Sequence, residues 1–268
     1  MASGQLVETV TSTKPLTRMV RQHRYEPVGQ CIYCGAPASS DEHIIARSLG
    51  GTLVLPDASC GTCRDVTSSF ERHCANGTYA SVRRQFGFPT YHKKRVRPQR
   101  TVEVDGEPLE IPDHDYPGLL VGFNFPLPSI LGLSPPAPAA LGGGIAIQNL
   151  PDFGERLNRV DRRKRGVTLK TDLEARQFGR MLAKIAHGFA VGELGFGGFR
   201  PLLQDVVRND DPQFMGRLIG GAFLDPGPGT DLHEIALDRK TSPRHVLIHL
   251  RLFADRGMPS YWVVTGEL

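Results

Sequence analysis

Several things are scarce in this chain of 268 residues, and each scarcity excludes something. No apolar run approaches the 18–20 residues of a membrane helix; the closest, from Leu119 to Ile147, is interrupted by prolines and glycines. The first fifteen residues, MASGQLVETVTSTKP, lack a basic start followed by an apolar stretch, so no secretory signal is read and a soluble, cytoplasmic protein is expected. Tryptophan occurs once and cysteine five times. Acidic residues are missing altogether from Arg72 to Val102.

What is present is ordinary for a folded protein: 40% apolar and 22% charged residues. Glycine (30) and proline (21) exceed usual usage, which favours short elements and many turns over a long helical bundle. The net charge of +4 says little by itself. Its distribution says more, because Arg83, Arg84, Lys93, Lys94, Arg95, Arg97 and Arg100 crowd the acid-free stretch and a second basic run covers Arg156 to Arg165. Such runs neutralise phosphates or simply form a solvated face.

The segments divide into an arm (1–27), a Cys- and His-dense module (28–87), a basic linker (88–100) and a C-terminal part (101–268). In the last, TVEV-DG-EPLEI reads as a hairpin, and 126–144 as a loop. A helix is predicted from Thr171, where Thr171-Asp172-Leu173-Glu174 matches a capping box. Phe178, Met181, Leu182, Ile185 and Phe189 form its apolar stripe, and Gly192 ends it. Shorter helices are predicted over 201–208 and 212–218. Asp231, His233 and Glu234 read as a loop. Alternating Val246, Ile248, Leu250 and Leu252, a turn at Asp255-Arg256-Gly257 and a return through Tyr261 to Val264 read as a C-terminal hairpin. The fold class is therefore α+β.

The cysteines carry the chemistry. Cys31-x-x-Cys34 and Cys60-x-x-Cys63 are two short pairs, and two such pairs complete the tetrahedral thiolate set that zinc favours. Disulfides or unpaired thiols are the alternatives, the first disfavoured without an export signal. Cys74 reads as a free thiol, with His73 a weaker candidate ligand. Between the pairs, Ile44-Ile45 suggests a strand, Gly50-Gly51 a loop and Thr52 to Leu55 a return strand; the second pair would open a helix through Arg64, Thr67 and Phe70-Glu71-Arg72. The order is knuckle, β, β, knuckle, α.

The pattern CxxCG…EHII…LGG…CxxC resembles the HNH endonucleases with zinc knuckles, over residues 28–75. The flanking LVLPDASC and TSSFE resemble one bacterial branch of that family. The resemblance implies a ββα-metal fold and metal-dependent hydrolysis of phosphodiester bonds in DNA, double-stranded DNA being the expected partner. It gives His43 the role of general base, Glu42 that of ligand to a catalytic Mg²⁺ or Mn²⁺, and Asp57 that of supporting the histidine's loop. Arg47, Arg64, Arg83, Arg84, Lys93, Lys94 and Arg95 are the expected nucleic-acid contacts. Three departures stand out. Asp57 takes the place of a common asparagine, Ala46 that of a common proline, and Arg64, which cannot ligate a cation, that of a frequent second metal ligand. Thr67 and Ser68 lie one turn on. Glu71 lies two turns on, about 10 Å along the axis, which is too far to replace position 64 directly. These departures leave two rival expectations: a zinc-stabilised nucleic-acid-binding protein with impaired catalysis, or an interaction protein stapled by zinc.

Overall fold

A computed structural model describes residues 23–89, 99–133, 144–161, 166–209, 215–222 and 227–268. Lys93, Lys94 and Arg95, most of the expected linker, the arm up to residue 22 and the basic run at 162–165 lie outside the described residues.

The architecture is mixed α+β, as the sequence predicts. β1 (His23–Arg24) runs parallel to β3 (Leu53–Ser59), which also pairs antiparallel with β2 (Ser40–His43). α1 (Gly61–Asn76) follows at once from the second cysteine pair. The predicted strand at Ile44-Ile45 falls just past β2: both side chains are buried and Ile44 N still donates to Leu53 O, but the backbone turns away toward a short 3₁₀ turn at Arg47–Leu49.

After α2 (Ala80–Gln85), the predicted hairpin forms as β4 (Gln99–Val104) and β5 (Glu107–Pro112). Its turn is Asp105-Gly106, both at positive φ, the conformation that suits the twist of a tight hairpin. β6 (Leu119–Asn124) pairs with β7 (Gly144–Asn149), α3 spans Phe153–Val160, and β8 (Val167–Thr168) extends the β4–β5 sheet. Val102, Val104, Ile111 and Tyr116 make a small satellite core there.

The central helix, α4, spans Ala175–Leu194 and begins later than predicted. The capping box does not form: Glu174 is extended and no side chain caps the helix. Residues 172–174 are instead drawn against the end of α1. There Thr78 Oγ1 donates to Asp172 O at 2.9 Å, and the Asp172 and Glu174 carboxylates lie 3.6 and 3.4 Å from His73 Nε2. Gly192 does not end the helix either; it lies within the last turn, where the Tyr25 ring packs within 2.9 Å of the point a Cβ would occupy. β9 (Arg200–Pro201), α5 (Gln204–Asn209), α6 (Met215–Leu218) and β10 (Ile219–Gly221) follow; α5 begins three residues later than predicted, and the first three residues of the predicted 212–218 helix lie outside the described residues.

The main sheet has the order β10–β13–β12–β11, with β11 His233–Asp238, β12 His245–Leu252 and β13 Ser260–Glu267, all antiparallel. The C-terminal hairpin is thus as predicted, and it is extended by β11 on the β12 side and by β10 and β9 on the β13 side. His233 and Glu234 belong to β11 rather than to a solvated loop, because Ile235 and Ala236 bury the strand against β12. In β12 only His245 escapes burial, since the alternate polar positions are enclosed too; Arg251 Nε donates to Met258 O at 2.6 Å.

α4 packs against β12 and β13 on one side and α1 on the other, which explains why residues 178–191 are buried all round. One core runs from Cys31 and Ile44 through α4 to Val264, so the two segments distinguished in the sequence share it. Its aromatic centre is Phe178, whose ring lies 5.1 Å from Phe123, 5.4 Å from Tyr261, 6.0 Å from Phe125 and 6.4 Å from Tyr79. No helix among the described residues is long and apolar enough to cross a membrane.

Truncating that hub should therefore destabilise both segments together. Phe178→Ala is expected to lower the unfolding free energy by about 3–5 kcal/mol, in a single cooperative transition followed by urea denaturation.

Candidate metal centre and the buried site beside it

The first cysteine pair sits on a tight knuckle. Gly35, at φ +74°, lets the chain fold back so that its amide donates to Cys31 O at 2.8 Å, while Cys31 N donates to Ala36 O. The second pair opens α1: Cys60 is the N-cap, and its sulfur accepts from Cys63 N at 3.5 Å. That amide is the main reason the Cys60 thiol is pulled down to about 7, toward the thiolate a metal needs.

Hairpin pairing brings the knuckles together, and the sulfurs of Cys31, Cys34, Cys60 and Cys63 all lie within 4.8 Å of one another. Cys34 Sγ and Cys60 Sγ are 3.6 Å apart, far beyond a disulfide bond and close to the roughly 3.8 Å edge of a tetrahedron with 2.3 Å metal–sulfur bonds. The four could hold a metal ion such as zinc. Cys74 is buried apart from them, and His73 is turned to Asp172 and Glu174, so neither joins the set.

His43 ends β2, opposite Val54. Its ring is half-buried, and its Nδ1 is enclosed without a hydrogen-bond partner. Burial first, then the positive charges of Lys184 and Arg47, push its pKa below the ordinary histidine value, outweighing Glu42 and Asp41. The imidazole is therefore neutral at pH 7. Arg47 is exposed on the following turn, and its guanidinium has no hydrogen bond or ion pair among the described residues.

Glu42, expected to hold a catalytic cation, points inward. Its Oε1 lies 2.6 Å from Lys184 Nζ, and Glu71 Oε1 lies 2.7 Å from the same nitrogen. Lys184 Nζ also donates to His43 O and, at 3.3 Å, to Ile44 O. The lysine is wholly buried. Burial alone would pull its pKa down, but Glu42 and then Glu71 outweigh burial and hold the ammonium above the usual lysine range. For Glu71, burial and the neighbouring Glu42 win over Lys184, so its carboxyl is raised. The Tyr33 hydroxyl, fully enclosed, faces the same carboxylates and is raised by burial and by them. A divalent cation does not fit this arrangement, because the oxygens it would need are taken by an ammonium.

Neither Lys184 nor Glu71 was singled out by sequence for this site. Glu71 is indeed far from Arg64, but the carboxylates meet further down α1 than position 64. The readable signal lay in α4, where Arg180, Lys184 and His187 recur at helical spacing and form a polar stripe through an otherwise apolar helix. Every member faces the cysteine-bearing module or its flank: Arg180 stacks over Phe70 at 4.8 Å and donates to Val207 O, Lys184 meets Glu42 and Glu71, and His187 Nε2 meets Ile32 O at 2.9 Å.

The other expected contacts are dispersed. Arg64 is largely exposed on the first turn of α1, 3.5 Å from Asp65. Arg83 is a clamp, its Nε donating to Ser48 O and its Nη1 to Ala75 O and Asn76 Oδ1. Arg84 pairs with Asp113 at 2.6 Å. Asp57, at φ +46°, lies on the β2–β3 hairpin, where its amide donates to Asp41 Oδ1; it does not reach the 44–51 loop. That loop is held by Arg83, by His233 Nε2 on Leu49 O at 2.8 Å, and by Gly51, where a Cβ would fall 2.0 Å from Ile45 O.

Comparison with models of known protein families, with curated proteins and with solved structures returns no match.

His233 accepts from Phe253 N on Nδ1 while donating from Nε2, which fixes it as a neutral tautomer; burial pushes its pKa down to about 4. The unfolded chain takes up this proton near pH 6.5 and the folded chain does not, so stability falls as pH drops from about 6.5 toward 4. His233→Gln, which keeps a donor for Leu49 O and does not titrate, should make that acid slope shallower in urea unfolding compared across the range.

Proposed function

We propose that this chain is a zinc-stabilised nucleic-acid-binding protein, built on a module that resembles the HNH endonucleases but lacks their divalent-cation chemistry. The observation that carries the reading is a set of four clustered sulfurs in the same module as a solvent-facing arginine, on a turn that Arg83 and His233 brace. Cys31, Cys34, Cys60 and Cys63 would hold one zinc ion, supplying the cross-link that a segment of this size needs to keep its shape. The turn carrying Arg47 then presents a planar guanidinium suited to bidentate contact with a phosphate. Arg64, on the first turn of α1, adds a second exposed positive charge. Double-stranded DNA is the proposed partner.

A second reading, hydrolysis of the phosphodiester bond with His43 as general base, is favoured by one observation: the imidazole at the end of β2 is only half-buried, next to the turn that carries Arg47. Against it stands Glu42, whose carboxylate is committed to Lys184.

Elemental analysis should find one zinc per chain, lost in Cys63→Ser together with DNA binding. Anisotropy of a labelled duplex should show salt-sensitive binding, with Arg47→Ala weakening it and lowering the slope of log Kd against log salt by about 1. Supercoiled plasmid should stay intact with Mg²⁺ or Mn²⁺. Nicking that disappears in His43→Ala would replace this reading with the second, and a chain with no affinity for DNA would overturn both.

A further inference from the structure

We propose that the ammonium of Lys184 is the resident cation of the Glu42–Glu71 pair, so that these two carboxylates never take a divalent metal in the native protein. The inference rests on contacts among a few residues and is independent of whether the module binds nucleic acid.

Glu42 from β2 and Glu71 from α1 converge from different elements on one point, the geometry of a shared cation site. The point is filled by Lys184 Nζ, 2.6 and 2.7 Å from the two carboxylates. The carbonyls of His43 and Ile44 complete an all-oxygen shell around it. The two carbonyls accept its hydrogen bonds, and the two carboxylates at ion-pair distance compensate its charge. Mg²⁺ would demand six oxygens in near-octahedral array at about 2.0–2.1 Å, several of them water. The buried ammonium already occupies the point on which the two carboxylates converge, and a dication beside it would meet like charge.

The displacement of Nζ is equally obstructed. Lys184 lies in the middle of α4, between Ala183 and Ile185, both fully buried, so a swing away would leave the ammonium among apolar side chains. Lys184 also ties the end of β2 to α4 through the His43 and Ile44 carbonyls. By donating to His43 O it fixes the backbone beneath the imidazole, and its charge helps keep that ring neutral.

The test uses the zinc-loaded full-length protein. With lysine Nζ labelled for NMR, Lys184 should give a protected signal that neither Mg²⁺ nor Mn²⁺ shifts or broadens at millimolar concentration. Direct titration should find no stoichiometric Mn²⁺ whose binding is lost in Glu42→Gln. Lys184→Met, which keeps the stem and removes the charge, should gain one Mn²⁺ per chain, at least ten-fold tighter than any binding to wild type, and lose it again in Lys184→Met/Glu42→Gln. Broadening of the wild-type Lys184 signal by Mn²⁺, or a stoichiometric wild-type site that depends on Glu42, would overturn the proposal. So would a folded Lys184→Met chain that binds no Mn²⁺. If that variant fails to fold, the wild-type spectrum decides.

Discussion

A positive charge with no access to water must be met on all sides, and in this fold that requirement falls on Lys184. Its ammonium is satisfied only when the end of β2, the middle of α1 and the middle of α4 reach their native positions together. Removing one member of such a buried set leaves another charge uncompensated, a loss of about 3–5 kcal/mol, whereas the complete set contributes little net stability over a well-packed apolar one. Its effect is therefore on specificity. The ion network selects one docking of the cysteine-bearing module on α4 from the many that apolar contact alone would permit.

The cysteines and α4 divide the work of shaping that module. The four sulfurs draw together the two ends of a hairpin and the start of a helix, which is a local constraint. Its own apolar residues, among them Ile44, Leu49, Leu55 and Phe70, are all buried in the core shared with α4 and the main sheet. The Ile32 carbonyl, inside the first knuckle, accepts from both His187 and Gln204, so even the knuckle is held from outside. A module that depends on its neighbour in this way has no independent surface on its inner side.

The legible parts of the fold were those written in short-range chemistry. Two C-x-x-C pairs, Gly50-Gly51 between strands and Asp105-Gly106 at a hairpin each specify their own geometry within a few residues. The capping box at Thr171 failed because the competing interaction is long-range: Thr78 and His73 hold residues 172–174 extended, and no local pattern reports them. His233 was read as solvated because it follows a proline- and glycine-rich run, Pro226 to Gly229, and its pairing with β12 is not written in the residues around it. Lys184 was hidden differently. It stands beside a clear apolar stripe and looks like an ordinary flanking lysine until Arg180 and His187 are seen to share its face.

The basic runs show why counting charge predicts a binding surface poorly. Arg83, Arg84 and Arg100 all come from the acid-free stretch, yet the first clamps three backbone and side-chain oxygens, the second pairs with Asp113 and the third lies 3.2 Å over the Tyr116 ring. Arg159, from the other run, is paired with Asp115 at 2.7 Å. A guanidinium with five donors is as useful for bracing loops as for gripping phosphate, and in a chain rich in turns the bracing is in demand. What distinguishes Arg47 is its place: its guanidinium, without a hydrogen bond or ion pair among the described residues, stands on a turn whose other carbonyls, Ser48 O and Leu49 O, are both tied to the rest of the protein. A rigid turn with one idle guanidinium is a better sign of recognition than seven arginines and lysines in a row.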